Sequence, residues 1–425
     1  MKFNKWTMGL AAVGVVSLAS AARADETKLS QVQTALSNTT LSGYVDTSAM
    51  WNTGTQDGAP HTSPAGVHHG GYLPPYTPGF THGDGFNLNA VDIALDKPLD
   101  ESQWASGYHV ELMFGQDSVG ETLSSNVGNG NGSTYASTIR SAYLALRTPV
   151  GNSSIDWKMG LWDSPIGYES SSSPLNPNFT RSYGWFVEPT TFTGLLGTFK
   201  ANDVVSFSAG VANASMGNAT DGQYPTPSGL NNPYETQKAY LATVALTAPE
   251  SWGWMKGATL DAGVIVADNG SASGNGNGRT WMYVGGTIPT PVKALKVGAA
   301  FDYLDYHNGG IAGNPSDDNI WVAGVYASWQ ASDKCTLSVR GENYAATGAG
   351  GTSNSGNGVP AEGHNVQEFT ATLQYSLWAN VLSRIELRWD HAPGEAWDNS
   401  PNQPWPYGPV HKNEYLLAAN LVYQF

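Results

Sequence analysis

Period-two segments joined by connectors that alternate long and short run along this chain from residue 41 to its end. Sixteen segments can be marked: Leu41 to Asn52, Phe86 to Asp96, Gly107 to Gly115, Thr138 to Thr148, Ser154 to Leu161, Phe192 to Lys200, Val204 to Ala212, Lys238 to Ala248, Thr259 to Ala267, Arg279 to Ile288, Leu295 to Asp305, Asn319 to Gln330, Thr336 to Asn343, Glu368 to Ser376, Val381 to Asp390 and Asn413 to Phe425. The long connectors are 53–85, 116–137, 162–191, 213–237, 268–278, 306–318, 344–367 and 391–412, and short ones such as 149–153, 201–203 and 331–335 fall between them. A soluble sandwich has no reason to sort its loops by length to one end. A barrel crossing a bilayer does, with short periplasmic turns and long external loops. The predicted fold is all-β: a transmembrane, antiparallel, up-and-down barrel of about 16 strands, with 14 and 18 as the neighbouring solutions.

The last segment points the same way. Tyr415, Leu417, Ala419, Leu421, Tyr423 and Phe425 share one apolar face, and Glu414, Asn420 and Gln424 share the other with Leu416, Ala418 and Val422. Left uncovered in water, such a strand would template aggregation. Closed into a barrel it pairs on both sides and turns its apolar face to hydrocarbon. The ending resembles that of bacterial outer-membrane barrels, so Tyr423 and Phe425 are the expected signal for the barrel-assembly machinery. Tryptophan supports two interfaces. Trp104, Trp252, Trp254, Trp329 and Trp378 lie at short-turn ends, and Trp51, Trp162, Trp281, Trp321 and Trp389 at long-loop ends, the pattern of paired aromatic girdles.

Lys2 and Lys5, an apolar run from Met8 to Ala19, and Ala22-Arg23-Ala24 form a secretory signal over 1–24, cut before Asp25. The run is too short to span a bilayer as a helix. Residues 25–40 read as a polar periplasmic lead, with Leu29, Val32 and Leu36 at helical spacing, and 41–425 as the barrel. The expected location is the outer membrane of a Gram-negative type cell, with lipid bilayer and lipopolysaccharide as surroundings.

The formal net charge is −15, which argues against nucleic acid as a partner and fits a cation-leaning water path. The single cysteine, Cys335, permits neither an internal disulfide nor a cysteine-based zinc site. No cofactor or metal is expected. Gly128-Asn-Gly-Asn-Gly132 lacks the strand-loop-helix context of a phosphate cradle, and Asp317-Asp318-Asn319 reads as solvated loop carboxylates.

Charges within the strands mark the faces that must avoid lipid. Arg384, Glu386, Arg388 and Asp390 oppose Val381, Ile385, Leu387 and Trp389. Arg340 and Glu342 share a face with Thr336 and Ser338, Asp156 and Lys158 oppose Ile155, Trp157 and Met159, and His109 and Glu111 oppose Val110 and Leu112. Asp46 and Asp92 oppose Val45, Val91 and Ile93. An Arg or Lys facing lipid at the bilayer midplane costs roughly 2–4 kcal/mol. A dry core holds so many ions only with dense pairing, so a water-filled lumen is the expected home of these groups.

Gly160-Leu-Trp-Asp-Ser-Pro-Ile-Gly-Tyr-Glu169, Asn178-Phe-Thr-Arg-Ser-Tyr183, Thr193-Gly-Leu-Leu-Gly-Thr-Phe199 and Leu41-Ser-Gly-Tyr-Val-Asp46 resemble the OmpL-like group of outer-membrane β-barrel porins. The resemblance is specific over these blocks and covers the rest only in overall pattern. It implies a channel for small solutes, without a defined substrate and without catalytic residues. The matching Asp163, Tyr168, Glu169, Arg181 and Tyr183 carry no assigned role. In general porins the third long loop folds inward and narrows the lumen. By that analogy loop 162–191, rich in proline and aromatics, would bring Glu169, Arg181 and Glu188 to a constriction. An external loop ordered by its own aromatics is an equal alternative.

The reading is a passive, water-filled channel for small hydrophilic solutes or ions, with a mild cation preference. A homotrimer is one state compatible with a barrel of this size. Two other classes remain in view. A barrel hydrolase would need converging Ser, His or Asp groups, but there is no His-Glu-x-x-His or Gly-x-Ser-x-Gly, and His68, His69, His82 and His364 all lie in loops. An exported soluble binding or adhesion protein would need no detergent.

Overall fold

The structure is a computed structural model, described here for residues 32–33, 38–52, 85–118, 125–126, 136–213, 238–269, 277–307, 318–347, 365–391 and 413–425. The signal over 1–24 and the Gly/Asn tracts at 127–132, 270–276 and 348–358 lie outside the described residues.

Sixteen long strands form one ring. They are β1 (Thr40–Asn52), β2 (Gly85–Lys97), β3 (Ala105–Gly115), β4 (Ala136–Val150), β5 (Ser153–Asp163), β6 (Thr191–Lys200), β7 (Val205–Asn213), β8 (Lys238–Thr247), β9 (Thr259–Asn269), β10 (Asn277–Pro289), β11 (Leu295–His307), β12 (Asp318–Ser332), β13 (Cys335–Thr347), β14 (Asn365–Trp378), β15 (Val381–His391) and β16 (Asn413–Gln424). Each pairs antiparallel with its sequence neighbours, and β16 closes the ring on β1 from Leu416 opposite Asn52 to Gln424 opposite Tyr44. Gly43 and Phe425 extend the seam with two backbone bonds of 3.1 and 3.0 Å. Closure matters in hydrocarbon, where an unpaired backbone amide or carbonyl finds no water.

Every segment marked in the sequence is a strand. The helical spacing at Leu29, Val32 and Leu36 does not hold where the lead is described. Val32 and Gln33 are extended and pair with Leu41 and Thr40, because a neighbouring β1 edge offers hydrogen bonds that an isolated polar turn of helix lacks.

Alternation sorts the two faces. Along β15, Leu382, Arg384, Glu386, Arg388 and Asp390 are buried while Ile385 and Leu387 are more than half exposed. The large side chains exposed around the barrel are Leu, Val, Ile, Phe and Met with Tyr and Trp among them, as a lipid-facing band with aromatic borders requires. The tryptophan girdle is only partly as expected. Trp104, Trp252, Trp254, Trp329 and Trp378 are exposed at the short-turn side, and Trp51 is exposed at the other. Trp162 and Trp281, however, are 0% and 4% exposed. They face inward, where the ring edges serve packing and the indole N–H groups find carbonyls: Trp162 Nε1 donates to Gly194 O at 3.1 Å and Trp281 Nε1 to Val187 O at 2.9 Å.

Candidate functional site

What occupies the lumen is the third long loop, residues 164–190. It leaves β5 and returns to β6, half the ring away from β13 and β14, yet its polar contacts reach β13, β14 and β15. The loop therefore crosses the barrel. Pro165, Pro174, Pro177 and Pro189 keep it from forming a long helix. Its one α-helical turn, α1 (Tyr183–Val187), starts where Ser182 Oγ accepts from Trp185 N at 2.9 Å.

Two carboxylates of the far wall hold loop amides. Glu386 accepts from Phe179 N at 2.6 Å and Thr180 N at 2.9 Å. Glu342 accepts from Tyr183 N at 2.8 Å and Gly184 N at 3.2 Å. Three arginines hold loop carbonyls. Arg340 donates to Thr180 O at 2.7 Å and Arg181 O at 3.1 Å, Arg388 to Arg181 O at 2.6 Å, and Arg384 to Ser173 O at 3.0 Å. Ion pairs balance the charges: Arg340 with Glu169 at 2.8 Å and Glu368 at 3.1 Å, and Arg388 with Asp390 at 2.8 Å. Tyr183 OH donates to Asp390 at 3.0 Å. An apolar seam backs this network. Ile166, Tyr183 and Val187 pack with Trp281, Tyr283, Tyr326 and Tyr344 of the wall, and the Tyr168 and Tyr326 rings stack at 4.1 Å.

This arrangement corrects one expectation. Water was expected to solvate the row Arg384, Glu386, Arg388 and Asp390, but these side chains and Arg340 are 0–1% exposed. Dense pairing replaces water, and loop backbone groups supply most of it. Asp46 is held in the same buried zone: its Oδ1 accepts from Asn89 at 2.6 Å and Asn420 at 2.5 Å, and its Oδ2 lies 3.9 Å from Arg384. Arg181 is 2% exposed and sits over the Trp185 ring at 5.3 Å.

The rest of the predicted set lies elsewhere. A cavity of about 430 Å³ runs between the loop and the wall of β1 to β5. Asp92, Glu111 and Lys158 line it from the wall, and Glu169 and Glu188 from the loop. Asp156 pairs with Arg147 at 2.6 Å near the β4–β5 turn, outside this lining. Burial, with Asp302 alongside, pushes the Glu188 carboxyl well above the usual carboxylate range. The Tyr168 hydroxyl, buried on the same loop, is pushed up to about 12.

Several participants escaped the sequence reading. Arg140 lines the cavity, bridging Glu111 (2.5 Å) and Asp163 (2.7 Å). By simple alternation it belongs with Ala142, Leu144 and Leu146 on the lipid face. A register shift between Glu111 and Leu112, opposite Ser141 and Ile139, turns it inward. An arginine at an apparent lipid position was the available signal. Glu368 shares parity with Thr370 and Thr372, both buried, and that alternation could have found it. Tyr44 also lines the cavity, and its shared parity with Asp46 could have found it. Among the described residues no group of three His, Cys, Asp or Glu side chains is placed to hold a metal.

Comparison with known proteins agrees with this architecture. A family model described as "Putative beta-barrel porin-2, OmpL-like" matches residues 38–425. Solved structures of similar fold include the outer-membrane channel DcaP of Acinetobacter baumannii (TM-score 0.55, 13% identity, covering 91% of this chain and 97% of that one). An anion-selective porin from Comamonas acidovorans is also similar (0.53, 11% identity, 91% and 99%), as is Salmonella typhi OmpF in complex with daunomycin (0.53, 13% identity, 91% and 97%). At these identities the likeness is one of fold. No curated protein matches the sequence.

Proposed function

This chain belongs to the OmpL-like β-barrel porin-2 family of outer-membrane channels, and on that premise we propose that it passes small hydrophilic solutes by diffusion along the wall of β1 to β5, with a mild preference for cations. The observation that carries the reading is the off-centre cavity of about 430 Å³ beside a loop anchored to the opposite wall. Insertion of the loop removes the wide central path and leaves a narrower one whose lining is charged. Four acids (Asp92, Glu111, Asp163 and Glu169) and two bases (Arg140 and Lys158) line it, together with Glu188, whose carboxyl burial pushes toward the neutral form. A low-dielectric wall focuses the field of such a lining, and an acidic excess raises the local concentration of cations.

In this reading Asp46, Arg181, Arg340, Glu342, Arg384, Glu386, Arg388 and Asp390 set the constriction indirectly, by fixing the loop. Tyr423 and Phe425 would serve assembly. Residues 1–24 would direct export, and a homotrimer would be the assembled form to look for. Catalysis has no place in it, because the residues at the constriction bind the loop or line the path.

Purified protein in planar bilayers should give stable, ohmic conductance steps. Silence across salts and voltages would overturn the channel. A reversal potential favouring chloride would remove the cation preference alone.

A further inference from the structure

Most charged groups at the constriction are already satisfied. Arg140 takes both oxygens of Glu111 at 2.5 Å, with His109 Nε2 3.3 Å away, and Arg340 takes Glu169. Asp92 is different. It is 3% exposed, yet its Oδ2 meets no hydrogen-bond donor. It lies directly across the β1–β2 ladder from Tyr44, on the inward face of both strands. The Tyr44 hydroxyl is itself without a partner, although the residue is only 4% exposed. Both side chains line the cavity. Glu111, opposite Ala94 on the next strand, is the diagonal neighbour of Asp92 on the same face.

A buried carboxyl oxygen and a buried phenol oxygen, both unsatisfied and both lining one cavity, cost free energy unless something fills that role. Anions are repelled by Asp92 and Glu111. A divalent ion would want three or more converging ligands of the His, Cys, Asp or Glu kind, and no such group occurs among the described residues. A carboxyl group beside a second carboxyl, with a neutral phenol oxygen across the ladder, suits a weakly held monovalent cation that takes the place of a shared proton and keeps part of its water shell.

We propose that Asp92 and Tyr44 form a binding subsite for monovalent cations on the path, and that this corner sets the selectivity of the channel. The inference rests on the diffusion-channel reading above. A passing cation would exchange some waters for Asp92 Oδ2 and the Tyr44 oxygen, then leave toward the turn side of the barrel. Lys158 lines the same cavity, its ammonium 4.8 Å from the Tyr143 ring centroid. It opposes cation entry and limits the preference to a mild one.

The test measures reversal potentials in KCl gradients and conductance as a function of KCl concentration, with wild-type protein and single variants in planar bilayers. Asp92→Asn, which cannot exchange a proton for a cation, should lower the cation-to-anion permeability ratio roughly threefold. Tyr44→Phe keeps the charge but removes the oxygen, and should raise the KCl concentration at half-maximal conductance. Lys158→Gln should raise the permeability ratio. Asp203→Asn, on an exposed turn, should change neither quantity. Conducting channels in which Asp92→Asn or Tyr44→Phe behave as wild type would overturn the subsite and leave the channel standing. A wild-type protein that never conducts would overturn the channel reading itself. Should Asp92→Asn fail to give the folded, heat-modifiable form, the Tyr44→Phe saturation curve decides by itself.

Discussion

Arg340→Ala should release the inserted loop while leaving the barrel intact. The guanidinium is wholly buried and joins the loop at Thr180 O (2.7 Å), Arg181 O (3.1 Å) and Glu169 (2.8 Å). Hydrogen bonds from a charged donor contribute roughly 1.5–3 kcal/mol each. Breaking a buried ion pair by removing one partner costs about 3–5 kcal/mol, because the other charge stays buried and unpaired. These figures overlap and do not add. Glu368 on the wall also keeps some compensation from Arg388 Nε at 3.9 Å. A loss of about 3–4 kcal/mol in loop anchoring follows, which is a shift of roughly two to three powers of ten in the equilibrium between inserted and released loop. The Arg340 side chain takes no part in the strand ladder, and its backbone pairing with Tyr326 and Thr370 survives in alanine, so the folded, heat-modifiable band should persist. Two assays report the loop: single-channel conductance, which should rise or split into two levels, and limited proteolysis, which should begin to cut within 164–190. Adding Glu169→Gln should cost less than its effect in the wild type, by about 1 kcal/mol or more, since its partner is already gone. Arg340→Ala channels with wild-type conductance and a protected loop would refute the anchoring argument.

The loop should also respond to pH through Glu188. Its folded-state pKa lies well above the ordinary 4.5, so its contribution to loop insertion is complete below that value and is lost as pH rises toward the shifted one. Protease sensitivity of the loop should grow on the alkaline side, and Glu188→Gln should flatten the dependence; a loop that loosens on acidification through this residue would contradict it. At the seam, a Cβ on Gly43 would sit 2.1 Å from the Asp92 carbonyl oxygen and 2.7 Å from the Phe425 ring. Gly43→Ala should therefore lower the yield of closed, heat-modifiable barrel, and an unchanged yield would show that the seam relaxes freely.

The alternation of apolar and polar residues determined the ring by itself. Side chains in a strand point to opposite faces, hydrocarbon rejects charge, and so the Arg384 to Asp390 row had to face inward whatever the tertiary structure. Loop lengths fixed which ends of the strands carry the short turns, and the final pairing of Asn413–Gln424 with β1 follows from the need to leave no edge. What fills the inside was not written in any local pattern. Glu342 and Tyr183 stand 159 positions apart, and Glu386 and Phe179 stand 207 apart. Their hydrogen bonds exist only because closing the barrel puts β13, β14 and β15 across from the loop that leaves β5. Periodicity also misplaced Arg140, since a single bulge reverses the face of a side chain, and it misread Trp162 and Trp281, since an indole looks the same toward lipid as toward a packed loop. One-dimensional pattern senses which environment a residue can tolerate. Which partner meets it there is decided by the curvature and registry of the whole ring.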